Sequence, residues 1–294
     1  GLVRLHFHAR GAISNLFFEP LPALPGLGSS RVVLRVRAVG LNFRDVLNVL
    51  GEYPGDPGPP GGDAAGVLLP GAAAPLHCAF GLAYAPLACV ATASASLLAD
   101  MPAALSFERA STLPVTWSTT HAAVGRAGLC AGCTIVVQAA AGGVGLKAVE
   151  YAQSLCSALV GTAGRPHKHA QLRDGGVATL CSSRDGTAFA IGAARLCEAA
   201  RSHAVLNSLS LDFISASCAT LSEGSAFEEI GKRAIWASER HLASAPSTSY
   251  CAIALDADMA LDLVWMHGML RVLALRAGRG VATSLPLQSF DMVA

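Results

Sequence analysis

The segment Gln138-Ala-Ala-Ala-Gly-Gly-Val-Gly-Leu-Lys147 decides the fold of this chain. An apolar run at 134–138 leads into it, and an Ala/Leu/Val stretch opens directly after its glycines. This order is typical of a buried strand, a tight turn and a helix start, the part of an α/β sheet that binds a dinucleotide pyrophosphate. In such a turn Gly142 lets the backbone approach a phosphate, and Gly145 lets the helix pack against the strand. The predicted cofactor contacts of the turn are Ala141, Gly142, Gly143, Val144 and Gly145.

Beyond Pro114 the sequence alternates between short apolar runs and helical patterns. The helices are predicted most clearly at 144–155 and 188–200. The predicted strands are 134–138, 158–162, 178–181, 204–207, 226–230 and 250–255. Alternation over this length predicts an α/β fold with a parallel, doubly wound sheet.

The part of the chain before Pro114 has a different rhythm. Residues 31–39 alternate between apolar and polar side chains, which predicts a half-buried strand. Residues 51–62 contain five glycines and four prolines, so this stretch is predicted to be a loop. The region is therefore expected to form a compact β-rich domain.

Composition excludes several classes of protein. Hydrophobic residues make up 52 % of the chain and charged residues 14 %, so a large core is expected rather than disorder. A net charge of +1 without a basic cluster argues against a nucleic-acid partner. No uncharged apolar run reaches the roughly eighteen residues of a membrane span.

The nine cysteines are odd in number and irregularly spaced, which favours reduced thiols in an intracellular, cytoplasmic protein. Cys130 and Cys133 form a lone CxxC pair without a second ligand pair, so no metal site is predicted. Because the chain starts at Gly1 rather than methionine, we expect it to be a segment of a longer polypeptide.

The nucleotide preference is predicted from the end of the second strand. NAD-binding units carry an acidic residue there, about 20 residues after the glycines, which holds the ribose 2′-hydroxyl. Here the strand ends at Thr162 and is followed by Arg165 and Lys168, without a carboxylate. A basic, acid-free rim suits a 2′-phosphate, so NADPH is favoured; the alternative is a solvated basic loop. Asn207 ends another predicted strand at the carboxyl edge, where cofactor contact is expected.

Several motifs together resemble the enoyl reductase domains of modular polyketide synthases and animal fatty acid synthase. They occur in the family's order and cover nearly the whole chain. The motifs are Gly40-Leu-Asn-Phe-Arg-Asp-Val-Leu-Asn-Val-Leu-Gly-Glu-Tyr-Pro-Gly55, Leu105-Ser-Phe-Glu108, Ala139-Ala-Ala-Gly-Gly-Val-Gly145, Ser182-Ser-Arg-Asp185, Val205-Leu-Asn-Ser-Leu209 and Glu229-Ile-Gly-Lys-Arg233.

The resemblance implies a zinc-free medium-chain dehydrogenase/reductase, related to quinone oxidoreductases. Its fold pairs a GroES-like substrate domain, expected at 1–114 and completed by 276–294, with a Rossmann domain at 115–275. The implied reaction is the NADPH-dependent reduction of a 2-enoyl thioester carried on an acyl carrier protein, beside neighbouring megasynthase domains. Hydride passes to the β-carbon, and a proton is then added at the α-carbon.

The resemblance also assigns residues, each with a competing interpretation. Lys168 and Asp185 match the family's candidate proton donors; Lys168 alternatively neutralises a 2′-phosphate, and Asp185 alternatively caps a helix. Asn42 is either a helix cap or a nicotinamide-side residue. Thr119 matches a threonine near the nicotinamide but also fits a core position. Tyr53 lines the substrate entrance or is a packed aromatic residue.

The chain also departs from the family. The segment between Gly66 and Cys89 is short and lacks the usual Gly-Asp-Arg-Val motif, Asp63 stands where glutamate is common, and Ala234 stands where aspartate is usual. These departures bear on stability and activity more than on fold. The alternatives are therefore a free-standing NADPH quinone oxidoreductase and a non-catalytic scaffold domain that retains the fold.

Overall fold

The structure is a computed structural model that describes residues 2–22, 30–69, 77–199, 201–210, 212–232 and 234–292, without the side chains of 196–199. Two compact units divide the chain. The first runs up to Ser118 and resumes at Leu255, and the second runs from Thr119 to Ala254.

The first unit is built on antiparallel sheets. A two-stranded sheet pairs β1 with β2, and a five-stranded sheet has the order β6-β3-β4-β5-β7. The strands are β1 (Val3–Phe7), β2 (Leu16–Pro20), β3 (Arg31–Gly40), β4 (Asp63–Leu68), β5 (His77–Leu82), β6 (Val90–Ser94) and β7 (Leu98–Asp100). The helices are α1 (Phe43–Val49), α2 (Phe107–Ala110), the start of α3 (Pro114–Arg126), α9 (Leu255–Leu261) and α10 (Leu263–Gly278).

Successive side chains of β3 point to opposite faces of the sheet, and Leu34, on the face toward the core, is fully buried. The predicted strand at 31–39 is therefore found, extended by one residue. Residues 51–62 contain no helix or strand, as their Gly/Pro content predicted. Of the shortened segment after Gly66, residues 70–76 lie outside the described part of the chain.

The second unit is a six-stranded parallel sheet of order β10-β9-β8-β11-β12-β13. Its strands are β8 (Thr134–Val137), β9 (Ala158–Ala163), β10 (Thr179–Ser182), β11 (Ser202–Asn207), β12 (Leu221–Glu229) and β13 (Ser249–Ala252). Its helices are the rest of α3, α4 (Gly143–Ser154), α5 (Pro166–Asp174), α6 (Gly186–Ala199), α7 (Asp212–Cys218) and α8 (Ser238–Ser244). This order is the doubly wound Rossmann arrangement, so the predicted fold class is confirmed.

The parallel sheet has an apolar core on each face. Val137, Ala204 and Leu206 pack on one side, and Val136, Val205 and Phe227 pack on the other. Burial on both faces explains why these strands are nearly continuous apolar runs in the sequence. The chain adds strands outward from β8 in one direction and from β11 in the other, so the strand order reverses between these two strands and a crevice opens there at the carboxyl edge.

The structure shifts several predicted boundaries. The strand expected at 226–230 starts five residues earlier, at Leu221, and the one expected at 250–255 ends at Ala252. The helix expected at 188–200 starts at Gly186, and its last predicted residue, Ala200, lies outside the described residues. Residues 255–275, assigned from sequence to the Rossmann domain, belong to the first unit because α10 packs against β7.

Candidate functional site

The turn after β8 is held mainly by backbone hydrogen bonds to β9. The Ala140 amide donates to the Thr162 carbonyl oxygen at 2.8 Å, and the Ala139 amide donates to the Thr162 hydroxyl at 2.9 Å. Ala139 has a positive φ of 49°, an uncommon conformation for a residue with a side chain. These contacts fix the path of the chain from the sheet into α4.

Gly145 performs the packing task that the sequence predicted, and the predicted approach of a phosphate to Gly142 stays a prediction. Gly142 is the exposed N-cap of α4, with extended φ and ψ of −86° and 172°. A methyl group at Gly145 would lie 2.5 Å from the Ala139 carbonyl oxygen and 2.6 Å from the Ala140 Cα. Only glycine therefore lets α4 start this close to the strand. The N–H groups of its first turn have no partner inside the helix, so they form an electropositive end.

Thr162 belongs to the hydrogen-bond network that supports the turn after β8. Its side chain is fully buried, and its hydroxyl donates to Gln138 Oε1 at 2.9 Å while accepting from Ala139. The Gln138 amide in turn donates to Ser217 Oγ at 2.7 Å. Thr162 was predicted as a cofactor contact, and the structure instead places its hydroxyl in the support of the turn.

A cavity of about 470 Å³ opens beside this turn at the carboxyl edge of the sheet. Three of its lining side chains are basic: Arg165, Lys168 and Arg184. The remaining lining residues are Ala139, Gly164, Ser183, Leu209 and Phe213. Within the described part of the chain, the lining contains no carboxylate. The cavity therefore suits an anionic group.

Arg165 and Lys168 belong to the start of α5. Arg165 is its N-cap and is exposed, and Lys168 follows one turn later, half-buried. Arg184 was part of a motif quoted from the sequence, but it was not assigned to the site. The missing side chain of Gly164 leaves room for it, because a Cβ there would lie 2.7 Å from Arg184 Nε. The sequence signal that could have identified Arg184 was its position directly after β10, close to Arg165 and Lys168 in the fold.

Asp185 is exposed and lies directly before the first residue of α6. Its Oδ1 accepts a hydrogen bond from the Ala188 amide at 2.9 Å, and its own amide donates to Ser182 Oγ at 3.0 Å. This is the geometry of a helix N-cap, one of the two interpretations of this residue.

Asn207 ends β11, directly beside the end of β8, where the order of the strands reverses. Its side chain is fully buried, and Nδ2 donates to the Leu209 carbonyl oxygen and to Glu229 Oε2, each at 2.7 Å. Among the residues that the structure describes, its Oδ1 has no hydrogen-bond partner. Glu229, which the sequence indicated only as part of a motif, is thus joined to the site through Asn207.

In the first unit, Asn42 is the N-cap of α1 and is tied to two acids. Its amide N–H donates to Asp45 Oδ2 at 2.8 Å, and its Nδ2 donates to Asp63 Oδ2 at 3.0 Å. Asp63 Oδ1 also accepts from the Val115 amide at 3.0 Å, in the first turn of α3. Burial raises the pKa of Asp63 to about 8, against the opposing effect of these hydrogen bonds. Asn42 therefore occupies the N-cap position of α1, and its alternative role on the nicotinamide side stays a prediction.

Tyr53 lies in the Gly/Pro loop and is half-buried. Its hydroxyl donates to Asp256 Oδ2 at 3.1 Å, and the Arg44 guanidinium lies 5.6 Å from its ring centre. Burial and the neighbouring Asp256 carboxylate raise the pKa of Tyr53. Sequence reasoning did not find Asp256, because 203 residues separate it from Tyr53.

Thr119 is buried in α3, with 8 % of its surface exposed.

Within the described ranges, no three His, Cys, Asp or Glu side chains lie together in a way that would hold a metal ion. The Cys130 and Cys133 sulfurs are 3.5 Å apart. None of the helices in the described part of the chain has the length and apolar character that a membrane crossing requires.

Comparisons with known proteins agree with this architecture, although no model of a known protein family matches the chain. It is 40 % identical over 232 residues to the spectinabilin polyketide synthase system protein NorB of Streptomyces orinoci. It is 38 % identical over 231 residues to the erythronolide synthase EryA2 of Saccharopolyspora erythraea. Each alignment covers 76 % of this chain, which spans only 10 % and 6 % of those two proteins.

Solved structures show the same fold. The CurK enoyl reductase superposes with a TM-score of 0.90 at 29 % identity, covering 98 % of this chain and 92 % of that one. A mycobacterial protein, Rv1454c complexed with NADPH, superposes with a TM-score of 0.79 at 22 % identity, covering 96 % of both chains. The predicted pairing of a GroES-like part with a Rossmann part is thereby confirmed.

Proposed function

We propose that this chain, which is homologous to modular polyketide synthases and structurally close to enoyl reductases, is an NADPH-dependent enoyl reductase domain. The proposed substrate is a 2-enoyl thioester on an acyl carrier protein, within a longer synthase that supplies the neighbouring domains. The homology and the CurK superposition support the reaction class.

The described residues fit a nicotinamide dinucleotide. Gly145 lets α4 begin against the strand, so the first-turn amides face a pyrophosphate. The unpartnered Asn207 Oδ1 is a buried acceptor at the same edge, and such an atom requires a donor. A ribose hydroxyl or the carboxamide of the nicotinamide carries donors of this kind.

The cavity lined by Arg165, Lys168 and Arg184 is the observation that carries the preference for NADPH. Three cations without a lining carboxylate favour a 2′-phosphate over a bare 2′-hydroxyl, which in NAD sites is held by an acid. The position of Lys168 in this cavity supports phosphate binding as its main role. Its alternative role as proton donor stays a prediction.

When bound, the nucleotide supplies a hydride to the β-carbon of the enoyl thioester, and the α-carbon then takes a proton. The chain must hold donor and acceptor in line and stabilise negative charge on the thioester oxygen. Because the Asp185 carboxylate already accepts from the Ala188 amide, its geometry supports capping more than proton donation. For Tyr53 we propose a substrate-side role in the first unit, with its hydroxyl oriented by Asp256.

A turnover assay tests this function. The protein is mixed with NADPH and crotonyl pantetheine thioester, and the loss of NADPH absorbance is measured together with butyryl thioester by mass spectrometry. Enoyl reduction predicts one butyryl product for each NADPH oxidised. Nucleotide binding without oxidation would indicate a scaffold domain, and oxidation by a quinone but not by the thioester would indicate a quinone oxidoreductase. Either result would contradict the proposal.

A further inference from the structure

Two consecutive acids are buried at the end of β12. Glu228 is 3 % exposed and Glu229 is 1 % exposed. Because successive side chains of a strand point to opposite faces, the two carboxylates lie on different sides of the sheet. Their surroundings differ accordingly.

Glu229 joins the carboxyl ends of two neighbouring strands. It is the register partner of Asn207 across β11 and β12. Its Oε2 accepts from Asn207 Nδ2 at 2.7 Å, and its Oε1 accepts from the Gly231 amide at 2.6 Å. One carboxylate therefore fixes the end of β11 and the loop after β12 at the proposed nucleotide site.

These contacts determine which way the Asn207 amide faces. Its Nδ2 has two partners, the Leu209 carbonyl oxygen and the Glu229 carboxylate, and both are acceptors. A flipped amide would place its oxygen against both of them, so only one orientation is compatible. This orientation leaves Oδ1 as the unpartnered acceptor.

We infer that Glu229 is a positioning residue for the nicotinamide nucleotide, acting through the orientation of the Asn207 amide. The inference rests on the proposed function, because it assumes that Asn207 Oδ1 accepts a hydrogen bond from the bound nucleotide. Glu228 serves as the contrast, since its register partners are Leu206 and Cys251 rather than Asn207.

The charge state of Glu229 adds a readout that simple packing would not produce. Burial raises its pKa to about 7, while the bonds from Asn207 and Gly231 and the charge of Lys232 oppose this rise. The ionised carboxylate accepts both hydrogen bonds fully, whereas protonation turns one oxygen into a donor. The hold on Asn207 therefore weakens as the pH falls through about 7.

Four ionisable groups lie around Glu229: Cys218, Tyr250, His241 and Lys232. The pKa of Cys218 is raised to about 11 and that of Tyr250 to about 12, both chiefly by burial. His241 contacts Cys218, and burial lowers its pKa from the ordinary value. Lys232 carries the remaining charge, and its Nζ donates to the Ile253 carbonyl oxygen at 3.0 Å.

The test measures NADPH dissociation constants by fluorescence between pH 6 and pH 8. It compares the wild type with Glu229→Gln, the matched control Glu228→Gln, Asn207→Ala and the double variant Asn207→Ala/Glu229→Gln. Thermal melting confirms that each variant is folded. Glu229→Gln is expected to weaken NADPH binding at pH 8 about fivefold to tenfold, the effect of one net hydrogen bond. Glu228→Gln is expected to change it less than about twofold.

Two further results separate positioning from general damage. In the Asn207→Ala background, Glu229→Gln is expected to have no additional effect on affinity. The weakening of binding from pH 8 to pH 6 is expected to be smaller in Glu229→Gln than in the wild type and Glu228→Gln, which share any titration of the nucleotide itself.

Equal binding by the wild type and Glu229→Gln would overturn the inference. So would an undiminished effect in the Asn207→Ala background, or the same pH dependence in all three proteins. These results leave the proposed function intact. A wild-type protein that binds no nucleotide overturns the proposed function, and the inference with it.

Discussion

Two glycine-rich segments are held in place in opposite ways. The turn at 138–145 is fixed by its own backbone amides, which donate to Thr162 in the next strand, and its Gly145 is surrounded by backbone atoms of Ala139 and Ala140. The loop at 51–62 is fixed by side chains that reach it from elsewhere. Its glycines 55, 58 and 62 would meet nothing within 4 Å if they carried a Cβ.

The side chains that hold the loop come from distant parts of the first unit. Arg10 donates to Asp56 at 2.8 Å, and Arg44 donates to the Pro57 carbonyl oxygen at 2.5 Å. The distant Asp256 accepts from Tyr53 of the loop. The difference shows why one segment was interpretable from sequence in detail. In the turn Gly145 has a local packing reason, whereas in the loop the decisive contacts are long-range and depend on the folded structure.

The largest effect is expected for Gly145→Ala. The added methyl group meets fixed backbone on two sides, so α4 has to move away from the turn. We expect a loss of about 3 kcal/mol or more in the free energy of unfolding, with NADPH binding weakened more than tenfold. Chemical denaturation and fluorescence titration measure the two quantities.

Gly125→Ala is the matched control for that change. Gly125 is an exposed helical position in α3 where a Cβ meets nothing within 4 Å, so alanine should stabilise the protein by up to about 1 kcal/mol. If Gly145→Ala behaved like Gly125→Ala, the close approach of α4 to the strand would be incorrect.

A smaller loss is expected for Thr162→Val, which keeps the shape but removes the hydroxyl. The Ala139 amide and the Gln138 side-chain oxygen would each lose a partner, at a cost of about 2 kcal/mol in unfolding free energy. Thr162→Ser keeps both hydrogen bonds and should retain most of that energy. Equal stability of the valine and serine variants would show that the turn does not depend on this hydroxyl.

Glu228→Gln tests the buried acid on the other face of β12. Burial raises the pKa of Glu228 from 4.5 to about 7, and its Oε2 has no hydrogen-bond partner in the described part of the chain. Because the folded-state pKa is raised, this acid favours the fold below pH 4.5, and that contribution is lost as pH rises through 7. The variant should match the wild type near pH 4.5 and exceed its stability by about 1–3 kcal/mol at pH 8. A stability difference that is constant with pH would contradict the assigned titration.

The smallest effect is expected in the loop. Tyr53→Phe removes the hydrogen bond to Asp256 at a half-buried position, so the cost should be about 0.5–1 kcal/mol in unfolding free energy. On the proposed function, the KM for the enoyl thioester should rise while NADPH affinity stays unchanged. Asp256→Ala should produce the same pattern. Weakened NADPH binding in either variant would mean that the loop supports the nucleotide instead.

Local patterns predicted the fold well. The alternation after Pro114 located the six parallel strands to within a few residues, because burial on both faces gives each strand a short apolar run. The first-unit boundary was harder to predict. Residues 255–275 follow the last strand closely, and long-range contacts such as the packing of α10 on β7 show that they belong to the first unit.

The candidate site was predicted in part. The glycine turn and the basic residues after β9 come from short motifs with a mechanical reason, and they lie at one cavity or beside it. The support residues were missed, because the Glu229–Asn207 and Tyr53–Asp256 pairs depend on strand order and helix placement. Thr162 illustrates the limit: its position was indicated by the strand end, but the direction of its hydroxyl was set by the fold.

The central claim is that the basic cavity at the carboxyl edge recognises a 2′-phosphate, and parallel titrations with NADPH and NADH test it most directly. We expect the wild type to bind NADPH at least about tenfold more tightly than NADH, as expected for a phosphate held by charge-assisted hydrogen bonds. In the combined variant Arg165→Ala/Lys168→Ala/Arg184→Ala this preference should disappear, with NADH binding unchanged. Equal affinity of the wild type for both nucleotides, or a preference that survives the triple substitution, would contradict the account.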